Sequence, residues 1–131
     1  MKKILKISAI ALIGLFVLTG CRTAAVYNVS NSPVETENKV SDEQIYSAIK
    51  KAGVGLGWIV KKVKPGLAEG RLNLRTHMAL VEIPYGKDGY SINYKKSINL
   101  NYDQEKGLIH SNYNGWVQNL DGAIQIQLSG L

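Results

Sequence analysis

The sequence predicts an α+β fold in which an antiparallel sheet of about four strands packs against an N-terminal and a C-terminal helix. Three observations predict it. A helix-start pattern stands at residues 41–44, four extended segments occupy residues 58–95, and apolar residues recur at steps of three and four over residues 113–128. Consecutive strands joined by tight turns form antiparallel sheets, and flanking helices cover one face of such a sheet.

The first helix is predicted to begin at Ser41. Ser41 and Gln44 match a capping box, while Asp42 and Glu43 suit the positive end of the helix dipole. The apolar residues that recur at helical spacing are Ile45, Ala48, Ile49 and Ala52. They predict one buried face, and Gly53 is expected to end the helix.

Four strands are predicted next. They are residues 58–63, 67–74, 76–85 and 90–95. Pro65-Gly66 separates the first two, and the composition of residues 86–89 is typical of a hairpin turn. After a polar connection, a last helix is predicted from the apolar spacing of residues 113–128. Gly115 and Gly122 weaken that helix by about 1 kcal/mol each relative to alanine, so we expect it to depend on packing.

Composition excludes several protein classes. The chain has 131 residues, of which 45% are apolar and 20% charged, with a formal net charge of +6. These values exclude a disordered acidic tail and a multi-span membrane protein. Cys21 is the only cysteine, so no internal disulfide can form.

The first residues are typical of an export signal. Lys2, Lys3 and Lys6 precede an uncharged run over residues 7–18. As a helix that run would span roughly 18 Å, which is short for a bilayer core of about 30 Å. A basic start followed by a short apolar run is typical of a signal peptide.

The segment Leu18-Thr19-Gly20-Cys21 resembles the lipobox of bacterial lipoproteins. The resemblance implies that Leu18 and Thr19 are recognition positions, that cleavage follows Gly20, and that Cys21 carries the lipid. The predicted organisation is a signal peptide over residues 1–20, a lipidated N-terminus and tether over residues 21–40, and a single α+β domain over residues 41–131. Weak alternation in residues 25–29 leaves open an added edge strand.

Location and partners are further expectations. Removal of the 20-residue leader would take away three lysines and lower the formal charge from +6 to +3, so no nucleic-acid partner is expected. The expected partners are the membrane, through the lipid, and another envelope protein or a glycan. Arg22, and not aspartate, follows Cys21, and the lipoprotein resemblance therefore implies the outer membrane in preference to the inner one.

Parts of the mature chain resemble a group of small proteobacterial lipoproteins. The similar segments are residues 75–77, 91–94 and 109–120. This resemblance implies no particular activity.

Candidate binding residues lie in the second and third predicted strands and at the junction between them. Arg71, Arg75 and His77 are predicted to share a surface with Lys61 or Lys95, where they would bind an anion. The same pattern also fits a solvated sheet face. Numerous tyrosines and asparagines suggest stacking on a sugar, although Tyr113 and Trp116 fall in the apolar stripe of the last helix and fit the core.

No residue set indicates catalysis. His77 and His110 are the only histidines, and neither has a partner at metal-ligand spacing, so we expect no metal, no cofactor and no enzymatic activity. The predicted function is a lipid-anchored cell-envelope protein with a binding or scaffolding role. The alternatives are a glycan- or small-anion-binding module, and a hydrolase that uses His77 or His110.

Overall fold

The computed structural model describes residues 22–131, which form an α+β fold. The elements are β1 (Thr23–Ala25), β2 (Val29–Ser32), α1 (Asp42–Gly55), β3 (Trp58–Lys64), β4 (Leu67–Leu74), β5 (His77–Gly86), β6 (Gly89–Ile98), β7 (Leu108–His110) and α2 (Ser111–Ser129). The lipobox residues Leu18, Thr19, Gly20 and Cys21 lie outside the described residues. Among the described residues, no helix is both long and apolar enough to cross a bilayer.

A five-stranded antiparallel sheet organises the fold, with strand order β2-β6-β5-β4-β3. Strands β3 to β6 form a meander, and β2 pairs with β6 at the far edge. Because every neighbouring pair is antiparallel, the edge strands β2 and β3 run in the same direction. Helix α1 connects them across one face of the sheet, as connections between parallel strands require. The remaining strands, β1 and β7, form a separate antiparallel pair.

The capping box predicted at Ser41 is present. The Ser41 hydroxyl accepts a hydrogen bond from the Gln44 N–H at 3.2 Å, and the Gln44 side-chain oxygen accepts one from the Ser41 N–H at 2.9 Å. The helix does not end at Gly53 as predicted but continues to Gly55. Gly53 is instead a packing residue, since a Cβ there would lie 2.5 Å from Val60 Cγ2.

The core lies between the two helices and one face of the five-stranded sheet. Side chains alternate along each strand, so Ala68 and Leu72 of β4 face inward together with Ala79 and Val81 of β5. The helices contribute the residues predicted from their periodicity. The fully or nearly fully buried ones are Ile45, Ala48, Ile49 and Ala52 from α1, and Tyr113, Val117, Leu120, Ile124 and Leu128 from α2.

The first part of the chain differs from the sequence prediction. We predicted a helix as the first element of the domain, but β1 and β2 come first and α1 follows them. Together they account for seven residues of the segment 21–40, which was predicted to be a lipidated N-terminus and tether. The large sheet therefore has five strands, not about four, and a second sheet adds two more. The reason is long-range pairing, since Val29 of β2 lies opposite Ile92 of β6 and Thr23 of β1 lies opposite His110 of β7.

Candidate functional site

The side of the five-stranded sheet that faces away from both helices is the open face. It is carried by Ile59, Lys61, Glu69, Arg71, Asn73, Met78, Leu80, Glu82, Lys95, Lys96 and Ile98. Ile59 and Ile98 are each 51% exposed, although aliphatic side chains are usually buried in a sheet. The open face therefore combines exposed apolar side chains with charges of both signs.

A lysine bridges the two carboxylates of the open face. Glu69 and Glu82 lie directly opposite each other in the β4–β5 register, an arrangement that is repulsive by itself. The Lys95 ammonium lies 2.9 Å from Glu69 Oε2 and 3.3 Å from Glu82 Oε1. The hydrogen bonds to these carboxylates, Glu69 first, hold the pKa of Lys95 above its ordinary value. Both acids thus share one cation, Lys95.

Arg71 and Lys61 line a depression of about 280 Å³ on this face, together with Ile59, Glu69 and Asn73. The Arg71 Nε donates a hydrogen bond to Asn73 Oδ1 at 3.2 Å, which holds the guanidinium along the strand. Within residues 22–131, neither Arg71 nor Lys61 forms an ion pair. Two cations without a carboxylate partner therefore border one shallow depression.

Arg75 and His77 lie elsewhere, so the predicted trio is not assembled. Leu74 pairs with His77, which leaves Arg75 in a two-residue turn with a positive φ of 56°. Arg71 of β4 therefore shares the open face with Leu80 of β5, whereas His77 lies on the opposite face together with the inward-facing Ala79, two residues later. Of the predicted neighbours, the structure places Lys61 and Lys95 with Arg71 on the open face.

The tyrosines cluster on the helix side of the sheet. The ring of Tyr94 stacks on Tyr102 with centroids 4.2 Å apart, and it meets the buried Tyr113 edge-on at 5.6 Å. Burial raises the pKa of Tyr113 and of Tyr94. Tyrosines are not among the residues that line the Arg71 depression. Arginine and tyrosine therefore do not form the joint groove that sugar stacking would require.

Both histidines have structural hydrogen bonds. His77 Nδ1 lies 2.7 Å from the Asn99 carbonyl oxygen and, since a carbonyl only accepts, this nitrogen carries the proton. His110 is the N-cap of α2, and its Nδ1 accepts a hydrogen bond from the Asn112 N–H at 3.1 Å. Across the described residues, no three His, Cys, Asp or Glu side chains come together as a metal site would require.

Residues 22–28, which we call the strap, are fastened to the domain by a series of hydrogen bonds. The Arg22 carbonyl oxygen accepts from the Ser111 N–H at 2.7 Å, and the Val26 N–H donates to the Gly107 carbonyl at 3.0 Å. The Asn114 side chain holds the strap twice, since its Oδ1 accepts from the Tyr27 N–H at 2.9 Å and its Nδ2 donates to the Ala25 carbonyl at 2.8 Å. Only Arg22 stands between Cys21 and β1.

Some of this arrangement was accessible from the sequence. A two-residue turn at Arg75-Thr76 makes the even positions of β5 share a face with the odd positions of β4, so recognising the turn would have separated Arg71 from His77. The Asn114 contacts with the strap had no local signal.

No protein-family model, curated protein or solved structure matches this chain.

Proposed function

We propose that this protein is a lipoprotein of the cell envelope, held to a membrane through Cys21, whose open face binds another envelope component without catalysis. The observation that carries the proposal is the strap. Arg22, the residue after the lipobox cysteine, is already hydrogen-bonded to the domain, and the core of the described residues runs from Val29 to Leu128. Cleavage between Gly20 and Cys21 would therefore remove no part of that core.

The open face supports the binding role. Two helices cover one side of the sheet. The other side presents exposed apolar residues such as Ile59, beside charged side chains of which some form ion pairs and others do not. Protein interfaces combine an apolar centre with a polar rim in this way. The open face carries four cations, Lys61, Arg71, Lys95 and Lys96, against the two carboxylates Glu69 and Glu82, so it has an excess of positive charge for an acidic partner.

Metabolic labelling with a palmitate analogue tests the lipid anchor. The Cys21→Ala variant is expected to take up no label and to retain its 20-residue leader, whereas Asn38→Ala, a change at an exposed residue, is expected to label and mature normally. Normal labelling of Cys21→Ala would contradict the proposal.

Density-gradient separation of the membranes tests the further proposal, drawn from Arg22, that the protein resides in the outer membrane.

Photo-crosslinking in intact cells tests the open face. A photoreactive amino acid at Ile59 is expected to form a defined crosslinked species, and the same group at Ile126, which is exposed on α2, is expected to form none. The double variant Lys61→Glu with Arg71→Glu should abolish the species at Ile59. Crosslinking that is equal at Ile59 and Ile126 would contradict a binding role for this face.

A small anionic ligand or glycan is a second candidate, favoured by the two unpaired cations that share the Arg71 depression. A ligand at 100 times its dissociation constant stabilises a protein by about 2.7 kcal/mol, which a thermal-shift screen detects readily. Anionic glycans and phosphates should raise the melting temperature of the unsubstituted protein, but not that of Arg71→Gln. A screen without any Arg71-dependent shift would exclude this candidate.

A further inference from the structure

Exposed apolar side chains are concentrated at one end of the domain. Strands β4 and β6 end there, and β3 and β5 begin there, as the pairs Leu74–His77 and Met78–Ile98 establish. Helix α1 reaches the same end, where it leads into β3. The apolar rim consists of Val54, Leu56, Leu74, Ile98 and Tyr102, which are between 40% and 59% exposed.

The strap arrives at this same end. Ile98 is followed closely by Leu100, whose carbonyl oxygen accepts a hydrogen bond from the His110 N–H at 2.8 Å. The next amide, that of Ser111, binds the Arg22 carbonyl. Thr23 and Tyr102 line one surface depression, so the first described strand and the rim are neighbours. Two peptide units join Thr23 to position 21, and they span at most about 8 Å.

We infer that the apolar rim rests on the bilayer that holds the lipid of Cys21. The inference depends on the lipid anchor proposed above. A lipid attached one residue before the folded strap leaves no flexible spacer, so the end of the domain nearest to it must lie at the membrane surface. Removing the rim's apolar side chains from water at that surface is favourable, and a tyrosine such as Tyr102 suits the headgroup level.

Charge has a smaller part in this contact. Arg22, Arg75 and Lys106 lie at the rim end, where anionic headgroups would attract them. Asp103 and Glu105 belong to the same loop as Lys106 and oppose that attraction. Asp103 also uses its Oδ1 to accept the Lys106 N–H. The apolar side chains and the short anchor therefore position the domain, with little help from net charge.

Fluorescence quenching on the mature lipidated protein tests the inference. Because Cys21 is the only cysteine and lipidation consumes its thiol, an introduced cysteine provides a single labelling site. Leu74→Cys and Ile98→Cys place an environment-sensitive dye on the rim. Val63→Cys is the control: Val63 is 56% exposed and lies about 17 Å along β3 from Trp58. The proteins are reconstituted into phosphatidylethanolamine–phosphatidylglycerol vesicles that contain a nitroxide-labelled lipid.

We expect the dye at Leu74 and at Ile98 to shift its emission to the blue and to lose most of its fluorescence to the lipid quencher, and the dye at Val63 to change in neither respect. Equal quenching at all three positions, or none at the rim, would overturn the inference. A blue shift without quenching would also overturn it, since the rim would then contact a second copy or another protein.

Two checks keep the outcomes distinguishable. Mass measurement before reconstitution reports the lipid on Cys21, so an unmodified thiol refutes the anchor and not the rim contact. Thermal unfolding of each labelled protein confirms its fold, and Leu56→Cys replaces any rim variant that does not unfold cooperatively.

Discussion

The carbonyl oxygen of Arg22 accepts a hydrogen bond from the N–H of Ser111, with 2.7 Å between the two atoms. This bond joins the first described residue to the first turn of α2, 89 positions later in the sequence. The neighbouring bonds from Asn114 continue the attachment. The segment next to Cys21 is therefore part of the fold.

Asn114 is expected to fasten the strap. Its side chain makes two hydrogen bonds to strap backbone, and each such bond contributes about 1 kcal/mol. In Asn114→Ala, the Tyr27 amide should exchange its hydrogen at least about tenfold faster, as a loss of about 1.4 kcal/mol implies. Asn112→Ala, at an exposed position two residues earlier, is the control and should leave Tyr27 unchanged. Unaltered Tyr27 exchange in Asn114→Ala would contradict this role.

Two buried tyrosine hydroxyls are expected to contribute differently to stability. The Tyr90 hydroxyl donates a hydrogen bond to the Asp121 carboxylate at 2.5 Å, whereas the Tyr113 hydroxyl has no partner among the described protein atoms. Tyr90→Phe should lower the free energy of unfolding by about 1.5–3 kcal/mol, because the lost bond involves a charged acceptor. Tyr113→Phe should be neutral or stabilising. Urea denaturation measures both, and equal losses would contradict the assignment.

Alkaline pH is expected to destabilise the fold partly through Tyr90. Burial, followed by the hydrogen bond to Asp121, raises the pKa of Tyr90 to about 12 from an ordinary value of 10. Between these values the unfolded chain releases the tyrosine proton while the folded chain keeps it, so stability falls as pH rises. Tyr90→Phe should therefore lose less stability than the unsubstituted protein from pH 10 upward. Parallel pH profiles of the two proteins would show that Tyr90 does not contribute.

Gly53 is expected to be required for the packing of α1 on β3. A Cβ at this position would lie 2.5 Å from Val60 Cγ2 and 3.3 Å from Trp58 Cβ, while one at Gly55 would meet nothing within 4 Å. Gly53→Ala should destabilise by about 1–3 kcal/mol, although alanine is the better helix former. Gly55→Ala should be neutral or stabilising. Chemical denaturation compares them, and a stabilised Gly53→Ala would contradict the packing argument.

Local signals account for the parts of the fold that could be predicted. The capping box at Ser41 needs only residues 41–44, and the strand β4 was predicted with its observed bounds because Pro65-Gly66 precedes it and its residues alternate. Strands β1 and β7 could not be predicted in the same way. Each has three residues, and their pairing joins Thr23 to His110. A pattern of three residues carries too little periodicity to indicate a strand.

The candidate site shows the same limit. Basic residue types identified Arg71, and its neighbour Lys61 was among the residues named with it. Which residues of β4 and β5 share a face depends on the register of the two strands, and the turn between them sets that register. The Arg75-Thr76 turn could not be recognised, because it lacks the Asn-Gly or Gly-Gly composition that marks a two-residue hairpin. His77 was therefore placed with Arg71 although the two alternate to opposite faces. The pairing of Lys95 with Glu69 and Glu82 likewise depends on a bulge between Leu80 and Val81.

The lipid anchor proposed at Cys21, together with the inferred contact of the rim, would also determine from which direction a partner reaches the open face. With the rim on the bilayer, the strands rise away from the lipid, and the ten residues of β5 span about 33 Å. The plane of the sheet is then roughly perpendicular to the membrane, so the open face is turned neither toward the bilayer nor directly away from it. A partner that is anchored in the same bilayer would approach the open face from the side, by lateral diffusion in two dimensions.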